Sequence, residues 1–332
     1  MTRNDIAYYL LRLLETPGLG TVKTNSIIEL ARADPHGLLD FFDNEECLRT
    51  VLTEKQFEAF IANEDKAHHT WDQLAEKDVR FLTVLDEYYP QQLRDRLGKK
   101  TPPLLMVLGN HQLIDKPSVG FCGSRKASEK GMATAVDCAD QLARQGINII
   151  SGYAAGVDMA AHCAALECGG TTMLVLCEGI LHFKIKRDIK GLWDWERIAV
   201  VSEFLPGVPW SVRNAMQRNK TICGLVSTMI LIESAGKGGS IEAGRACLEM
   251  GVPLFAPVYA GMPETAVGNR ELLTQGAREL LKNRKTNRAN ITKVFSAVEQ
   301  NQPVNPDYAG RYVIESSFGG QLSLFDNKGD YK

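Results

Sequence analysis

The segment "VGFCGSRKASEKG" contains residue types whose spacing predicts anion binding. Gly123 ends an apolar run, and Ser124 and Arg125 begin the turn before a helix-length segment. Glycine lets the backbone approach a ligand, free amides at a helix start attract an anion, and arginine adds a fixed positive charge. The sequence therefore predicts a phosphate-binding turn, with a purely structural glycine turn as the alternative. It contains neither the full dinucleotide-binding fingerprint nor a Walker-type Gly-Lys-Ser/Thr run.

A second glycine-rich turn lies in "IESAGKGGSIEAGRA", again between an apolar run and a helix-length segment. Lys237 can neutralise an anion, and Gly238 and Gly239 permit close backbone approach. Ser240 is placed to cap the following helix. Because ligands of doubly wound folds bind beyond the carboxyl ends of the strands, we expect the two turns to share one edge of the sheet.

A third candidate is the helix-length segment "WSVRNAMQRNKTICGL". It carries Arg218, Asn219 and Lys220 beside the apolar Ile222 and Leu225. Basic residues with an asparagine can contact phosphates and base edges, and the alternative is a solvated helix face. This segment therefore predicts nucleic-acid contacts if it lies near the two glycine turns.

A fourth segment, "ISGYAAGVDMAAHCAAL", places Asp158 and His162 four residues apart on one helix face. A Ser-His-Asp hydrolase is excluded because the Gly-x-Ser-x-Gly nucleophile turn is absent. A metal site lacks a third ligand in this pattern. We expect a hydrogen-bonded structural pair, and the sequence predicts no metal site and no catalytic residue.

The elements that must position these residues are short β-rich runs alternating with amphipathic helical stretches from about residue 79 onward. The runs are "VRFLTVL", "PLLMVLG", "SVGFCG", "INIISG", "TMLVLCEG", "IAVVSEF", "STMILIES" and "VPLFAPV". Near-continuous apolar strands separated by helices predict a sheet covered on both faces. We therefore expect an α/β fold, with a Rossmann-like doubly wound, mainly parallel sheet preceded by a small helical domain.

Three segments are expected along the chain. Residues 1–75 predict the helical domain, whose Pro17-Gly18 turn resembles a helix-hairpin-helix unit or is a plain structural hairpin. Residues 76–285 predict the Rossmann-like domain, and residues 286–332 a polar linker with a peptide tail.

Composition limits the classes of function. The formal net charge is -2 over 332 residues, which argues against general electrostatic adhesion to nucleic acid but permits a local basic groove. The eight cysteines form no Cys-x-x-Cys pair and are expected to be reduced core thiols. Neither a membrane-spanning run nor a secretory signal is evident. We expect a cytoplasmic protein without a cofactor.

Six motifs in order resemble the DNA-processing protein A (DprA/Smf) family: "GSRKASEKG", "SGYAAGVDMAAH", "VSEFLPG", "QRNKTICGL", "GKGGSIEA" and "VGNRELLTQGA". The resemblance covers about residues 79–282. It implies a non-enzymatic protein that binds single-stranded DNA cooperatively as a homodimer and helps load a RecA-type recombinase. Carried over by motif, the DNA-binding residues are Gly123, Ser124, Arg125, Arg218, Asn219, Lys220 and Lys237, and the glycine turn adds Gly238, Gly239 and Ser240.

The chain also departs from that family. Lys220 replaces an arginine, which keeps the charge but loses the planar guanidinium. The Tyr-Pro expected after "LCEGI" is replaced by "LHFKIKRDIK", and Ala256-Pro257-Val258 stands where Val-Pro-Gly is usual. We expect no winged-helix domain. These departures indicate a divergent member.

An alternative function is nucleotide binding, or phosphoribohydrolase activity of the LOG type on nucleoside monophosphates. In "GKGGSIEAGRA" the carboxylate of Glu242 stands one position before the catalytic glutamate of that group. One residue on a helix is a rotation of about 100°, which would turn Glu242 away from the ligand.

The tail contains "QLSLF", which resembles the peptide that docks repair proteins onto the DNA sliding clamp. An extended peptide can place Leu324 and Phe325 in an apolar pocket while Gln321 forms a hydrogen bond at the edge of that pocket. Leu322 is the residue next to Gln321 in this peptide. The alternative is a terminal strand folded back onto the body. The sequence therefore predicts a clamp-binding tail at Gln321, Leu322, Leu324 and Phe325.

Overall fold

The computed structural model describes residues 6–261 and 263–301 and the backbone of Leu322–Ser323. The chain divides into two compact units. The first comprises Met1–Leu108, Glu178–Phe183 and Val201–Trp210. The second comprises Gly109–Cys177, Lys184–Val200 and Ser211–Lys332.

The first unit begins with six helices: α1 (Ile6–Glu15), α2 (Thr21–Arg32), α3 (Leu38–Asp43), α4 (Glu45–Val51), α5 (Glu54–Ala62) and α6 (Glu64–Glu76). Local sequence explains several of their ends. Gly18 turns the chain between α1 and α2 with a φ of 82° that favours glycine. Thr53 and Gln56 form a capping box at the start of α5. Leu10, Leu11 and Phe42 are among the fully buried side chains of this helical layer.

Nine strands form one sheet: β1 (Arg80–Thr83), β2 (Leu104–Gly109), β3 (Ser118–Cys122), β4 (Asn148–Ser151), β5 (Thr172–Val175), β6 (Ile198–Ser202), β7 (Thr228–Leu231), β8 (Leu254–Pro257) and β9 (Arg278–Leu280). The strand order is β1-β2-β6-β5-β4-β3-β7-β8-β9. β1 and β2 are antiparallel. β3 is parallel to both β4 and β7, and β4 is parallel to β5. The predicted fold class is therefore confirmed.

The remaining helices are α7 (Gln91–Leu97), α8 (Glu129–Arg144), α9 (Val157–Glu167), α10 (Arg187–Lys190), α11 (Val212–Leu225), α12 (Gly239–Glu249), α13 (Val267–Thr274) and α14 (Thr292–Gln300). In the second unit, apolar residues of β3, β4, β7 and β8 form a core with α8 and α9. Phe121, Ile149, Ile230 and Phe255 are completely buried in it. Each contributes roughly 1.5–3 kcal/mol by leaving water, which fixes the sheet that supports the turns.

All eight cysteines are free thiols, and Cys138, Cys223 and Cys247 are buried. Within the described residues, every helix is too short or too polar to cross a bilayer.

A separate two-stranded ladder joins β10 (Lys282–Asn283) to β11 (Leu322–Ser323) in antiparallel register. Lys282 pairs with Ser323, and Asn283 pairs with Leu322. This backbone pairing is the one expected if the tail folds back onto the body as a terminal strand, which is the alternative considered above. Gln321, Leu324 and Phe325 lie outside the described residues, so the clamp-binding tail stays a prediction. The three-segment division of the chain also stays a prediction.

Candidate anion-binding rim

The turn after β3 presents two exposed cations from a fixed backbone. Gly123 lies so close to α9 that a Cβ atom there would be 2.6 Å from Val157 Cγ2. Ser124 N donates to the carbonyl oxygen of Glu233 at 2.8 Å, and its Oγ accepts from the amide of Lys126 at 3.0 Å. Arg125 and Lys126 are exposed. The backbone is therefore held while both charges face solvent.

Glu233 is a positioning residue that the sequence analysis did not identify. Its completely buried side chain accepts bonds from Ser128 N at 2.8 Å and from Ser128 Oγ at 2.5 Å. Ser128 in turn caps α8 by accepting from Gly131 N at 3.1 Å. A Cβ at Gly131 would lie 2.6 Å from Glu233 Cδ, so any larger residue there would have to displace this buried carboxylate. The sequence signal that points to this role is a glutamate at the end of the apolar run "MILIE".

The turn after β4, residues 152–156, lies directly against the first turn. Gly156 has a φ of 82°, and a Cβ atom there would be 2.7 Å from the carbonyl oxygens of both Ser124 and Arg125. Glycine is therefore required for its backbone conformation and for this close approach. The two turns lie side by side because β3 and β4 are parallel neighbours.

Asp158 and His162 are structural, but they do not pair with each other as predicted. Asp158 Oδ2 accepts from Ala154 N at 3.3 Å. His162 Nε2 bonds to the carbonyl oxygen of Gly152 at 2.7 Å, and Nδ1 bonds to Thr172 Oγ1 at 2.6 Å. Burial lowers the pKa of His162 below its usual value. The carbonyl oxygen of Gly152 can only accept, so Nε2–H of His162 donates to it, and burial disfavours the charged form of the ring.

Arg218 lies inside the protein, whereas its neighbours in the motif reach the surface. Its side chain lies against Gly152, where a Cβ atom would be 1.5 Å from Arg218 Nη1. Nη1 donates to the carbonyl oxygen of Val175 at 3.0 Å, and the residue is 6% exposed. Arg218 therefore supports the end of β5 from α11. Lys220 is exposed.

Asn219 connects α11 to the glycine turn after β7. Its Nδ2 donates to the carbonyl oxygen of Gly239 at 3.2 Å. Lys237 is exposed on this turn, and Gly238 has a φ of 105°. The predicted cap at Ser240 is wrong: α12 begins at Gly239 with Gly238 as its N-cap and no side-chain cap. Ser240 therefore lies inside the first helical turn, which begins one residue earlier than expected.

The structure brings residues 123–125 and 237–239 together at the carboxyl ends of β3 and β7, beside the turn after β4, and Asn219 joins α11 to this group. We call this surface the rim and define it as residues 123–128, 152–156 and 235–239, with Asn219 and Lys220. Among the residues that the structure describes, its four cations form no ion pair with a carboxylate: Arg125, Lys126, Lys220 and Lys237. Cations that no described carboxylate compensates can hold several phosphates.

Metal chemistry finds no support in the described part of the chain, which contains no group of three or more His, Cys, Asp or Glu side chains placed to hold a metal ion.

Comparisons of the amino-acid sequence with known proteins agree on one family. The family model for DNA recombination-mediator protein A matches residues 80–291. The chain is 30% identical over 280 residues to DNA processing protein DprA of Streptococcus pneumoniae, covering 82% of this chain and 94% of that protein. It is 31% identical over 235 residues to protein Smf of Escherichia coli, covering 69% of this chain and 62% of that longer relative.

Solved structures show the same fold. The X-ray structure of DprA from Streptococcus pneumoniae matches with a TM-score of 0.68 and 24% identity, over 83% of this chain and 95% of that one. DNA processing protein A from Helicobacter pylori, whose single-stranded DNA binding mode has been described structurally, matches with a TM-score of 0.54 and 23% identity. That match covers 67% of this chain and 95% of the other.

Proposed function

The chain belongs to the DNA recombination-mediator protein A family, and from this premise we propose that it binds single-stranded DNA along the rim in DNA processing and recombination. One observation carries the proposal: four exposed cations without ion pairs among the described residues lie on the turns after β3 and β7 and on α11, which Asn219 links to the second of these turns. The bound strand is contacted mainly through its phosphates, because cations and backbone amides carry no base-specific pattern.

Single-stranded DNA fits this rim better than a mononucleotide. The cations are spread over the turns after β3 and β7 and over α11, whereas one mononucleotide phosphate needs only one such turn. Glu242, the carboxylate considered for hydrolysis, binds Arg245 Nη1 at 2.5 Å. Arg245 also binds Glu271 at 2.5 Å, so this carboxylate belongs to a surface ion-pair network. The proposal therefore assigns binding and no catalysis.

A competition series tests this function. A labelled oligothymidine bound to the protein is challenged with unlabelled single-stranded DNA, the same sequence as duplex, and a nucleoside monophosphate. We expect the single strand to displace the probe at the lowest concentration and the monophosphate to have no effect. Displacement by the monophosphate at comparable concentrations, with release of free base that stops in Glu242→Ala, would instead support the nucleotide function.

The finer assignments follow the family resemblance and the sequence. We propose that the protein is a cytoplasmic homodimer that helps load a RecA-type recombinase onto the bound strand. We also propose that Gln321, Leu322, Leu324 and Phe325 dock the protein onto the DNA sliding clamp, since their order and spacing resemble the clamp-binding peptide.

A pull-down with purified clamp tests the tail. The intact chain should be retained, and Leu324→Ala/Phe325→Ala should lose retention because both apolar side chains that fill the pocket are gone. The matched control is Asn327→Ala/Lys328→Ala, which alters the two positions after Asp326 and should bind as the intact chain does. Equal retention of all three proteins would remove the clamp from the proposal.

A further inference from the structure

Two buried cysteines lie in contact between α11 and α12. Cys223 on α11 and Cys247 on α12 are both completely buried, and their Sγ atoms lie 2.7 Å apart. Cys223 Sγ also donates to the carbonyl oxygen of Ala243 at 3.5 Å, so this thiol lies against the backbone of α12. Both cysteines are reduced in this structure. The two helices therefore hold a dithiol that is not part of the rim.

The contact between the two sulfur atoms is close to the geometry of a covalent bond. A disulfide has an S–S bond of about 2.05 Å, so atoms that are 2.7 Å apart need to approach by only about 0.7 Å. Asn219, one helical turn before Cys223, already joins α11 to Gly239 at the start of α12. A disulfide between Cys223 and Cys247 therefore needs a local adjustment and no rearrangement of the two helices.

We propose that Cys223 and Cys247 are a site of reversible oxidation, at which hydrogen peroxide forms a disulfide that links α11 to α12. The sulfur of one thiol attacks the peroxide and breaks its O–O bond, which gives a sulfenic acid and one water molecule. The sulfur of the second thiol displaces the sulfenic hydroxyl group, which takes up the remaining thiol proton and leaves as a second water molecule. Two thiols are thus oxidised to one disulfide while one hydrogen peroxide is reduced to two water molecules.

Burial determines which oxidant suits this site. Hydrogen peroxide is close in size to water and can enter through a small local opening, whereas oxidised glutathione needs an exposed sulfur atom. An isolated buried thiol is ordinarily inert. In this pair the second thiol captures the sulfenic acid as soon as it forms, which drives a slow first step forward and prevents further oxidation. The same burial shields the disulfide from large thiol reductants.

The disulfide would stabilise the supports of two rim cations. Lys220 lies on α11 just before Cys223, and the turn that carries Lys237 leads into α12. Cys223 and Cys247 are 24 positions apart, so the link closes a loop that contains β7 and this turn. Closing the loop reduces the conformational entropy of the unfolded chain. The oxidised protein should therefore be more stable than the reduced protein.

Peptide mapping without reductant tests the site. The full chain is treated with hydrogen peroxide, denatured, alkylated and digested with trypsin. Cleavage at lysine and arginine gives the peptides 221–237 and 246–270, which contain one cysteine each. We expect a linked pair of these peptides that dithiothreitol separates, in the wild type and in Cys138→Ala, which removes an equally buried cysteine of α8. Cys247→Ala should not give the linked pair. Its absence from the peroxide-treated wild type overturns the proposal.

Urea unfolding provides a second measurement. Peroxide should raise the urea midpoint of the wild type and of Cys138→Ala, and dithiothreitol should reverse the increase. The midpoint of Cys247→Ala should not rise, and comparing each protein before and after oxidation removes any loss of stability that the substitution itself causes. An equal rise in Cys247→Ala, or no rise in the wild type, overturns the stabilising link between the helices. Neither measurement uses DNA, so these outcomes leave the proposed function intact.

Discussion

Arg218 shows how helical phase decides the role of a basic residue. It was grouped with Asn219 and Lys220 as a DNA contact, yet its side chain lies against Gly152 and donates to the carbonyl oxygen of Val175. Arg218, Ile222 and Leu225 recur at i, i+4 and i+7, so all three lie on the buried face of α11. The sequence analysis weighed the motif and not this spacing, and therefore expected Arg218 at the surface. Direct contact of Arg218 with DNA stays a prediction.

Glu233 gives the residue-scale prediction. Glu233→Gln replaces one acceptor oxygen by an amide nitrogen, so one of the bonds from Ser128 is lost in a completely buried site. We expect the free energy of unfolding to fall by about 1–3 kcal/mol. Affinity for single-stranded DNA should fall several-fold, because the turn that carries Arg125 loses an anchor.

Urea unfolding and DNA titration measure both effects. Glu242→Gln is the control: its carboxylate is partly exposed and paired with Arg245, so the free energy of unfolding should change by less than about 1 kcal/mol. Wild-type stability and affinity in Glu233→Gln would show that the turn needs no support from this carboxylate.

At the scale of elements, the parallel strands were predictable and the ninth strand was not. Each of the eight β-rich runs contains one of the strands β1 to β8. β9 consists of Arg278, Glu279 and Leu280, of which the first two are exposed. Such a short polar segment has no periodicity of its own and becomes a strand by pairing with β8.

The positions of the turns were also predictable only in part. The common edge of the turns after β3 and β7 followed from the expected sheet, because parallel strands end on one side. The contact of Gly156 with Arg125 and the bond from Asn219 to Gly239 depend on tertiary packing, which periodicity does not encode. The sequence therefore indicated which residues meet, and the structure shows what holds them.

His162 gives the element-scale prediction, because it joins α9 to the end of β4 and the start of β5. Its pKa is lowered by burial, so the folded protein favours the neutral ring more than the unfolded chain does. This contribution to stability is complete above the unfolded pKa of about 6.5 and is lost as pH falls below that value. Its slope is at most about 1.4 kcal/mol per pH unit.

Unfolding free energies of the wild type and His162→Gln are compared between pH 8 and pH 5. The difference between the two proteins should shrink as pH decreases below about 6.5, since glutamine does not titrate. Taking the difference removes the contributions of other groups, including Asp115, whose pKa is raised to about 6 by burial. A difference that is constant across this range would contradict the buried, neutral assignment of His162.

At the scale of the whole molecule, the distribution of charge matters more than its sum. The formal net charge of -2 gives no indication of nucleic-acid binding. The fold nevertheless places Arg125 and Lys126 on the turn after β3, Lys237 on the turn after β7 and Lys220 on α11, and the described residues offer them no carboxylate partner. A local positive surface of this kind attracts a polyanion even when the protein as a whole is slightly negative. Salt dependence is therefore the property that the rim should confer.

The most direct measurement is the salt dependence of single-stranded DNA affinity in Arg125→Ala, Lys237→Ala and the control Lys116→Ala. The account predicts weaker binding and a slope of log affinity against log salt that is lower by about 0.7 in each rim variant. Lys116→Ala should match the wild type, because Lys116 precedes β3 at the opposite edge of the sheet. Identical affinities and slopes in all four proteins would contradict the assignment of the rim as the DNA-binding surface.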